Sequence, residues 1–167
     1  GFVAGFSRQD IPAASLTLAR EAFVDLVGVM LAGSNEPVVH ILTTTTAGDM
    51  AGPTCSVLMN ARVRRSAKAA SLVNGTAAHA LDFDDVQFNA HPSTVLVPAI
   101  LAEAERGGAS GLQACKAYVL GYEVWGELHG REKNPYHDKG WHPTAVMGPV
   151  AATAAVAFLR GLDLEAT

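Results

Sequence analysis

The sequence predicts an all-α fold, and three observations carry that expectation. Apolar residues recur at spacings of three and four through several long windows. The composition is 49% hydrophobic with 17% charged residues, and alanine supplies much of the apolar excess, which suits closely packed helices. Strand-like patterning is confined to one short stretch.

The first long helix is expected to open at Asp10-Ile11-Pro12, with Asp10 as cap and Pro12 near the first turn. Its buried face would carry Leu16, Ala19, Phe23, Leu26, Val27 and Met30, and Gly33 would end it before the loop Ser34-Asn35-Glu36-Pro37. A shorter helix follows from Pro37 to about Thr43. The β-branched run Thr43 to Thr46, then Gly48, Gly52 and Pro53, signals a break. Ser56 to Met59 and Ala61 to Val63 form the one candidate extended pair, turning at Asn60. Helical spacing returns at Ser66, with Ala70, Val73, Ala77 and Leu81 on one face. The next helix starts at Pro92, runs through Leu96, Ile100 and Leu101, and stops at Gly107-Gly108. Ser110 and Gln113 make a capping box for its successor, whose stripe is Leu112, Cys115, Tyr118, Val119, Tyr122 and Trp125. Gly121 inside that helix marks close helix packing. Residues 130 to 142 read as a polar loop. The last helix starts at Pro143, carries Val146, Val150, Val156 and Phe158, and ends at Gly161. Leu162 to Thr167 resemble the start of another helix, so the chain is expected to be the amino-terminal portion of something longer. No solenoid-length repeat is present.

The bulk numbers exclude several classes. A net charge of -4 gives no electrostatic reason to expect nucleic acid. No uninterrupted apolar run reaches membrane-spanning length, and the first residues lack the order of a signal peptide. Cys55 and Cys115 form no metal or redox motif and suit buried thiols of a reducing compartment, so a cytoplasmic location is expected.

Three clusters carry chemistry. Asp82-Phe83-Asp84-Asp85 sits at the carboxyl end of the helix bearing His79, where the macrodipole disfavours negative charge. It is either a solvated acidic helix end or a site in which one carboxylate acts as a base or orients a histidine. His91-Pro92-Ser93-Thr94 and His142-Pro143-Thr144 each place His immediately before a helix-opening Pro, beside amides that lack intrahelical partners. Such ends attract anions, and a histidine there adds a proton donor. Two of them beside an acidic cluster suggest a pocket for a substrate with several carboxylates. The basic run Arg62, Arg64, Arg65 and Lys68 reads as a solvated face from which one cation can reach a ligand; His129 and His137 lie near a loop and carry weaker signals.

The stretch Asn74-Gly75-Thr76-Ala77-Ala78-His79-Ala80-Leu81-Asp82-Phe83-Asp84-Asp85, with His91-Pro92-Ser93, resembles the signature of the MmgE/PrpD family. Gly121-Tyr122-Glu123-Val124, Gly140-Trp141-His142-Pro143-Thr144 and Val27 to Gly33 continue the resemblance in order, over nearly the whole chain. The family includes 2-methylcitrate dehydratase and cis-aconitate decarboxylase. The resemblance implies a helical domain followed by an α/β lid domain, so that residues 1–167 would be part of the helical domain of a homodimer. It implies a lyase without metal or organic cofactor, dehydrating a 2-methylcitrate-like polycarboxylate, with decarboxylation, epimerisation or an inactive homologue as alternatives. Carried over by position, Asp82, His91 and His142 are the catalytic residues, with Asp85, Ser93 and Thr144 binding substrate. A lysine and a tyrosine of the decarboxylase branch fall beyond Thr167. A threonine four residues after the first Asp in several members is Val86 here, a departure that bears on which acid is used.

Two other enzyme classes fit less well. A class I terpene synthase would use Asp82, Asp84 and Asp85 on magnesium, but no second metal-binding motif follows and the His-Pro pairs have no role. A metallohydrolase would want histidines at close helical spacing.

Overall fold

The computed structural model describes residues 2–6, 11–58 and 63–163. The elements are α1 (Phe2–Gly5), α2 (Ala13–Gly33), α3 (Pro37–Thr45), β1 (Thr54–Ser56), β2 (Arg64–Ser66), α4 (Ala67–His79), α5 (Pro92–Gly107), α6 (Gly111–Arg131) and α7 (Pro143–Arg160), with a 3₁₀ turn at His137–Lys139. The expected all-α class holds. α5 lies centrally, touching α4, α6 and α7, while α2 packs across α4 and α6.

Local chemistry sets most boundaries. Ser66 caps α4 by accepting from the Ala69 amide, and Ser110 with Gln113 forms the reciprocal capping box of α6. α5 and α7 both open with proline and both close on left-handed glycines, Gly108 and Gly161. At α2 the cap position is Pro12, one residue before the first helical turn; Asp10 lies outside the described residues. Gly33 does not end α2 by a left-handed turn, since Ser34 follows it in the right-handed region. Its missing side chain serves packing instead: a Cβ there would lie 2.1 Å from the Ala77 carbonyl oxygen of α4. Gly121 has the expected role, because a Cβ would meet Leu96 of α5 at 2.6 Å and the Ala151 carbonyl of α7 at 3.3 Å.

The expected break is present through Gly48, Gly52 and Pro53, but it begins two residues later than expected. α3 runs to Thr45, and within it Thr43 and Thr44 donate their hydroxyls to the carbonyls of Val39 and His40, so that the polar groups are satisfied along the helix. The extended pair exists but sits further out than expected: Thr54 faces Ser66 and Ser56 faces Arg64. Its turn, including Asn60 and Arg62, lies outside the described residues. Buried Asn74 of α4 ties it down, accepting from the Leu58 amide and donating to the Ser56 carbonyl, both at 3.0 Å.

The core is built from Leu26, Met30, Val73, Leu96, Ile100, Leu120, Trp125 and Met147, filled in by alanines. Two stripe residues turn outward: Leu112 lies in the first turn of α6, and Val150 falls on the solvent side of α7. α7 is long and apolar enough, at mean hydropathy 1.2, to cross a membrane by length and composition. Here it is a core helix, with Met147, Ala151, Ala155 and Ala157 buried against α5 and α6. At the far end, Arg106 and Arg160 both donate to the buried Glu103 carboxylate, joining α5 to α7. Burial alone would raise the Glu103 pKa, but these two guanidiniums hold it below the usual range.

Candidate active site

Three helix ends converge on one region: the carboxyl end of α4 and the amino ends of α5 and α7. The segment between α4 and α5 performs the convergence. α4 stops at His79, and Asp82 takes a left-handed φ of 56°, which Asp tolerates better than most residues. Gln87 and Ala90 then exchange amide–carbonyl bonds in both directions at 2.9 Å, closing a two-residue turn at Phe88-Asn89. Both turn residues have positive φ, 58° and 54°, as a hairpin turn of the primed type requires. A phenylalanine there is strained, and its ring is held by Tyr122 (5.5 Å between centroids) and His129 (5.2 Å). This reversal returns the chain so that His91 lies against His79, their rings 4.6 Å apart.

The acidic cluster resolves into three different environments. Asp84 is buried with no side-chain exposure, and its two oxygens lie 3.0 and 3.1 Å from His79 Nδ1. Its Oδ2 is also 3.2 Å from His91 Nδ1, at an angle too oblique for a hydrogen bond, and among the described residues that buried nitrogen has no other partner. Asp82 is largely exposed, with Oδ1 3.7 Å from His91 Nε2. Asp85 turns the other way and accepts the Ser93 amide at 3.0 Å. The expectation that all three crowd an unfavourable helix end is corrected. α4 finishes before them, and Asp85 sits at the amino end of α5, where the macrodipole favours it. Burial raises the Asp85 pKa against the lowering effect of its Ser93 hydrogen bonds, and neighbouring Asp84 raises it further.

The amino end of α5 is therefore engaged from within. The Ser93 amide is taken by Asp85, and the His91 amide donates to Thr144 Oγ1 at 3.1 Å. Ser93 Oγ is 2.8 Å from the buried Tyr118 hydroxyl, whose pKa burial pushes well above the usual phenolic value. The three residues expected to bind substrate thus have partners within the fold: Asp85 takes the Ser93 amide, the Ser93 hydroxyl meets Tyr118, and Thr144 links α7 to His91. His142 caps α7 without a side-chain bond to its own helix; its exposed ring stacks on His137 at 6.1 Å between centroids. Asp82 and His91 are brought together, whereas His142 faces the 137–142 turn.

A groove of about 610 Å³ runs beside the cluster between α4 and α5, lined in part by Lys68, Thr76, His79, Thr94 and Thr144. That volume suits a small ligand, and Lys68 supplies a cation. His79 and Asp84 belong to the acidic cluster singled out from sequence, but neither was among the residues given a catalytic or substrate-binding role. Their signal was a histidine and an aspartate five residues apart across a helix end. His79, Asp82, Asp84 and His91 each offer a ligand atom within 4.8 Å of the others, a donor set that can attract a cation. In this structure the donors face one another directly as imidazole–carboxylate contacts.

Fold and site define an all-α domain with a histidine–aspartate cluster where the end of α4 meets the start of α5. The chain belongs to the MmgE/PrpD family: the family model described as the MmgE/PrpD N-terminal domain matches residues 1–167. Among curated proteins it is similar to mouse (Mus musculus) cis-aconitate decarboxylase, 28% identical over 98% of this chain and 35% of the relative. The human (Homo sapiens) cis-aconitate decarboxylase is 30% identical over 87% of this chain and 31% of the relative. The cis-aconitate decarboxylase-like protein oryM of Aspergillus oryzae is 31% identical over 95% and 35%. The chain spans about a third of the length of these relatives.

Proposed function

We propose that the whole protein is a lyase acting on a small polycarboxylic acid without a metal ion, and that this chain supplies its proton-transfer cluster. The observation that carries the reading is His91, held between buried Asp84 and exposed Asp82 at the amino end of α5, in a chain of this family. His91 Nε2 would take a proton from carbon next to a substrate carboxylate, a role that suits an imidazole near neutral pH. Asp82 stands beside that nitrogen to share or relay the proton. Lys68 in the adjoining groove would meet a substrate carboxylate, and His142 would reach the substrate from α7.

Dehydration of a 2-methylcitrate-like acid is the first reading. Decarboxylation of a cis-aconitate-like acid is the second, favoured by the relatives' names. Exposed Phe83, Val86 and Trp141 leave an apolar rim beside Asp82 and His142, which suits cover by the expected lid domain. Cytoplasmic location and a homodimer belong to the same proposal; the two buried free cysteines suit a reducing compartment. The test is turnover of 2-methylcitrate, citrate and cis-aconitate by the longest natural form of the protein in EDTA. Appearance of a conjugated double bond in the ultraviolet marks dehydration and carbon dioxide release marks decarboxylation. A folded sample that turns over none of these acids contradicts the reading.

A further inference from the structure

We infer that Asp84 is a positioning residue that holds both imidazoles, His79 and His91, with Nδ1 turned inward, so that both Nε2 atoms face outward as proton acceptors. The inference deepens the lyase reading and rests on it for the catalytic consequence. Its geometry stands alone. Asp84 has no exposed side-chain surface, so its oxygens have no water to turn to. A buried carboxylate is acceptor-only and must be met by donors. The donors on hand are His79 Nδ1, at 3.0 and 3.1 Å from the two oxygens, and His91 Nδ1, at 3.2 Å from one of them. A carboxylate lone pair facing an imidazole lone pair would be repulsive; Asp84 is buried and within 3.2 Å of both rings, whereas Asp82 is exposed to water and stands off at 3.7 Å from His91 Nε2, so each ring places its hydrogen on Nδ1.

The consequence for His91 is chemical. With hydrogen on Nδ1, the Nε2 lone pair points toward the exposed edge beside Asp82, where a substrate proton can be taken. The oblique angle at His91 Nδ1 leaves a buried donor incompletely satisfied. Substrate contact with the ring need only rotate it toward Asp84 to complete that bond. Catalytic hydrogen bonds often tighten in this way on substrate binding. His79 shares the carboxylate and lines the groove, so the same constraint turns a second acceptor nitrogen toward any ligand there.

The test uses the longest natural form of the protein labelled with ¹⁵N-histidine. His79→Gln and His91→Gln assign the two imidazole signals. The expected spectrum gives both rings the signature of hydrogen on Nδ1 and a lone pair on Nε2. In Asp84→Asn, one amide cannot accept from two imidazoles through both of its heads, so one ring should change tautomer. Turnover should fall about 10²- to 10⁴-fold in kcat, with KM changed less than about threefold. A wild-type spectrum with His91 carrying its hydrogen on Nε2 overturns the inference, even if Asp84→Asn does not fold. So does an Asp84→Asn protein whose tautomers and kcat both match wild type. If no polycarboxylate is turned over but the wild-type rings show the expected tautomers, the positioning role stands and the lyase reading fails.

Discussion

Replacing Gly33 with alanine tests whether the approach of α2 to α4 positions the site. An added Cβ would sit 2.1 Å from the Ala77 carbonyl oxygen, with the carbonyl carbon at 3.2 Å and the Ala80 Cβ at 3.5 Å. The oxygen contact is roughly 1 Å inside an ordinary van der Waals separation. It involves backbone in the last turn of α4, which cannot swing aside as a side chain can. Overpacking of this kind costs about 1–3 kcal/mol, against a helix-propensity gain of about 0.5–1 kcal/mol for alanine over glycine. Steric cost wins at the middle of these ranges, and the net loss should be about 1 kcal/mol, or about 2–4 °C in Tm for a domain of this size. Gly28 in the same helix is the control: a Cβ there meets nothing within 4 Å, so Gly28→Ala should be neutral or stabilising by up to about 1 kcal/mol. Thermal unfolding of the two variants beside wild type is the assay. Because His79 lies two residues beyond Ala77, Gly33→Ala should also lower turnover. A Gly33→Ala protein that melts at or above wild type, or with Gly28→Ala, refutes the close-approach argument.

Other expectations follow from the same geometry. Trp125 is fully buried, so Trp125→Ala should cost about 3–5 kcal/mol in denaturant unfolding. Ser110→Ala removes the hydroxyl of the α6 capping box and should cost about 1 kcal/mol by the same measurement. Asp85 has a raised pKa in the folded state, so the folded protein binds the extra proton above the ordinary value of 3.8. Stability attributable to Asp85 is then present below that value and lost as pH rises through the folded pKa. Asp85→Asn keeps an acceptor for the Ser93 amide, so its Tm relative to wild type should climb as pH rises from about 3.8. A flat difference across that window, followed by calorimetry, would count against the assignment.

Sequence reasoning succeeded where one residue determines its own surroundings. Prolines opened α3, α5 and α7, left-handed glycines closed α5 and α7, and Ser110-Gln113 announced its capping box, because each acts within a turn or two of itself. The threonine run placed the end of α3 two residues early, because intrinsic propensity disfavours helix while Thr43 and Thr44 satisfy their hydroxyls on preceding carbonyls within it. Leu112 and Val150 matched the apolar period but are exposed, with no described helix covering them. In the site, the His-Pro pairs and the acidic cluster were legible as groups. Which aspartate would be buried was not, because that depends on the reversal at Phe88-Asn89, a turn lacking the usual glycine. The partnership of His79 with His91 depends on the same reversal, and the closing of α5 by Asp85 is visible only once the chain has turned back.

The most direct test of the central claim is turnover by the longest natural form of the protein, in EDTA, comparing wild type with His91→Asn on whichever polycarboxylate is consumed. Asparagine at 91 keeps a polar group before Pro92 but cannot take the substrate proton. Wild type should turn over without metal, and the variant should lose at least about 10²-fold in kcat with the fold intact. Turnover that requires an added divalent cation, or that survives His91→Asn within a few-fold, would contradict that claim.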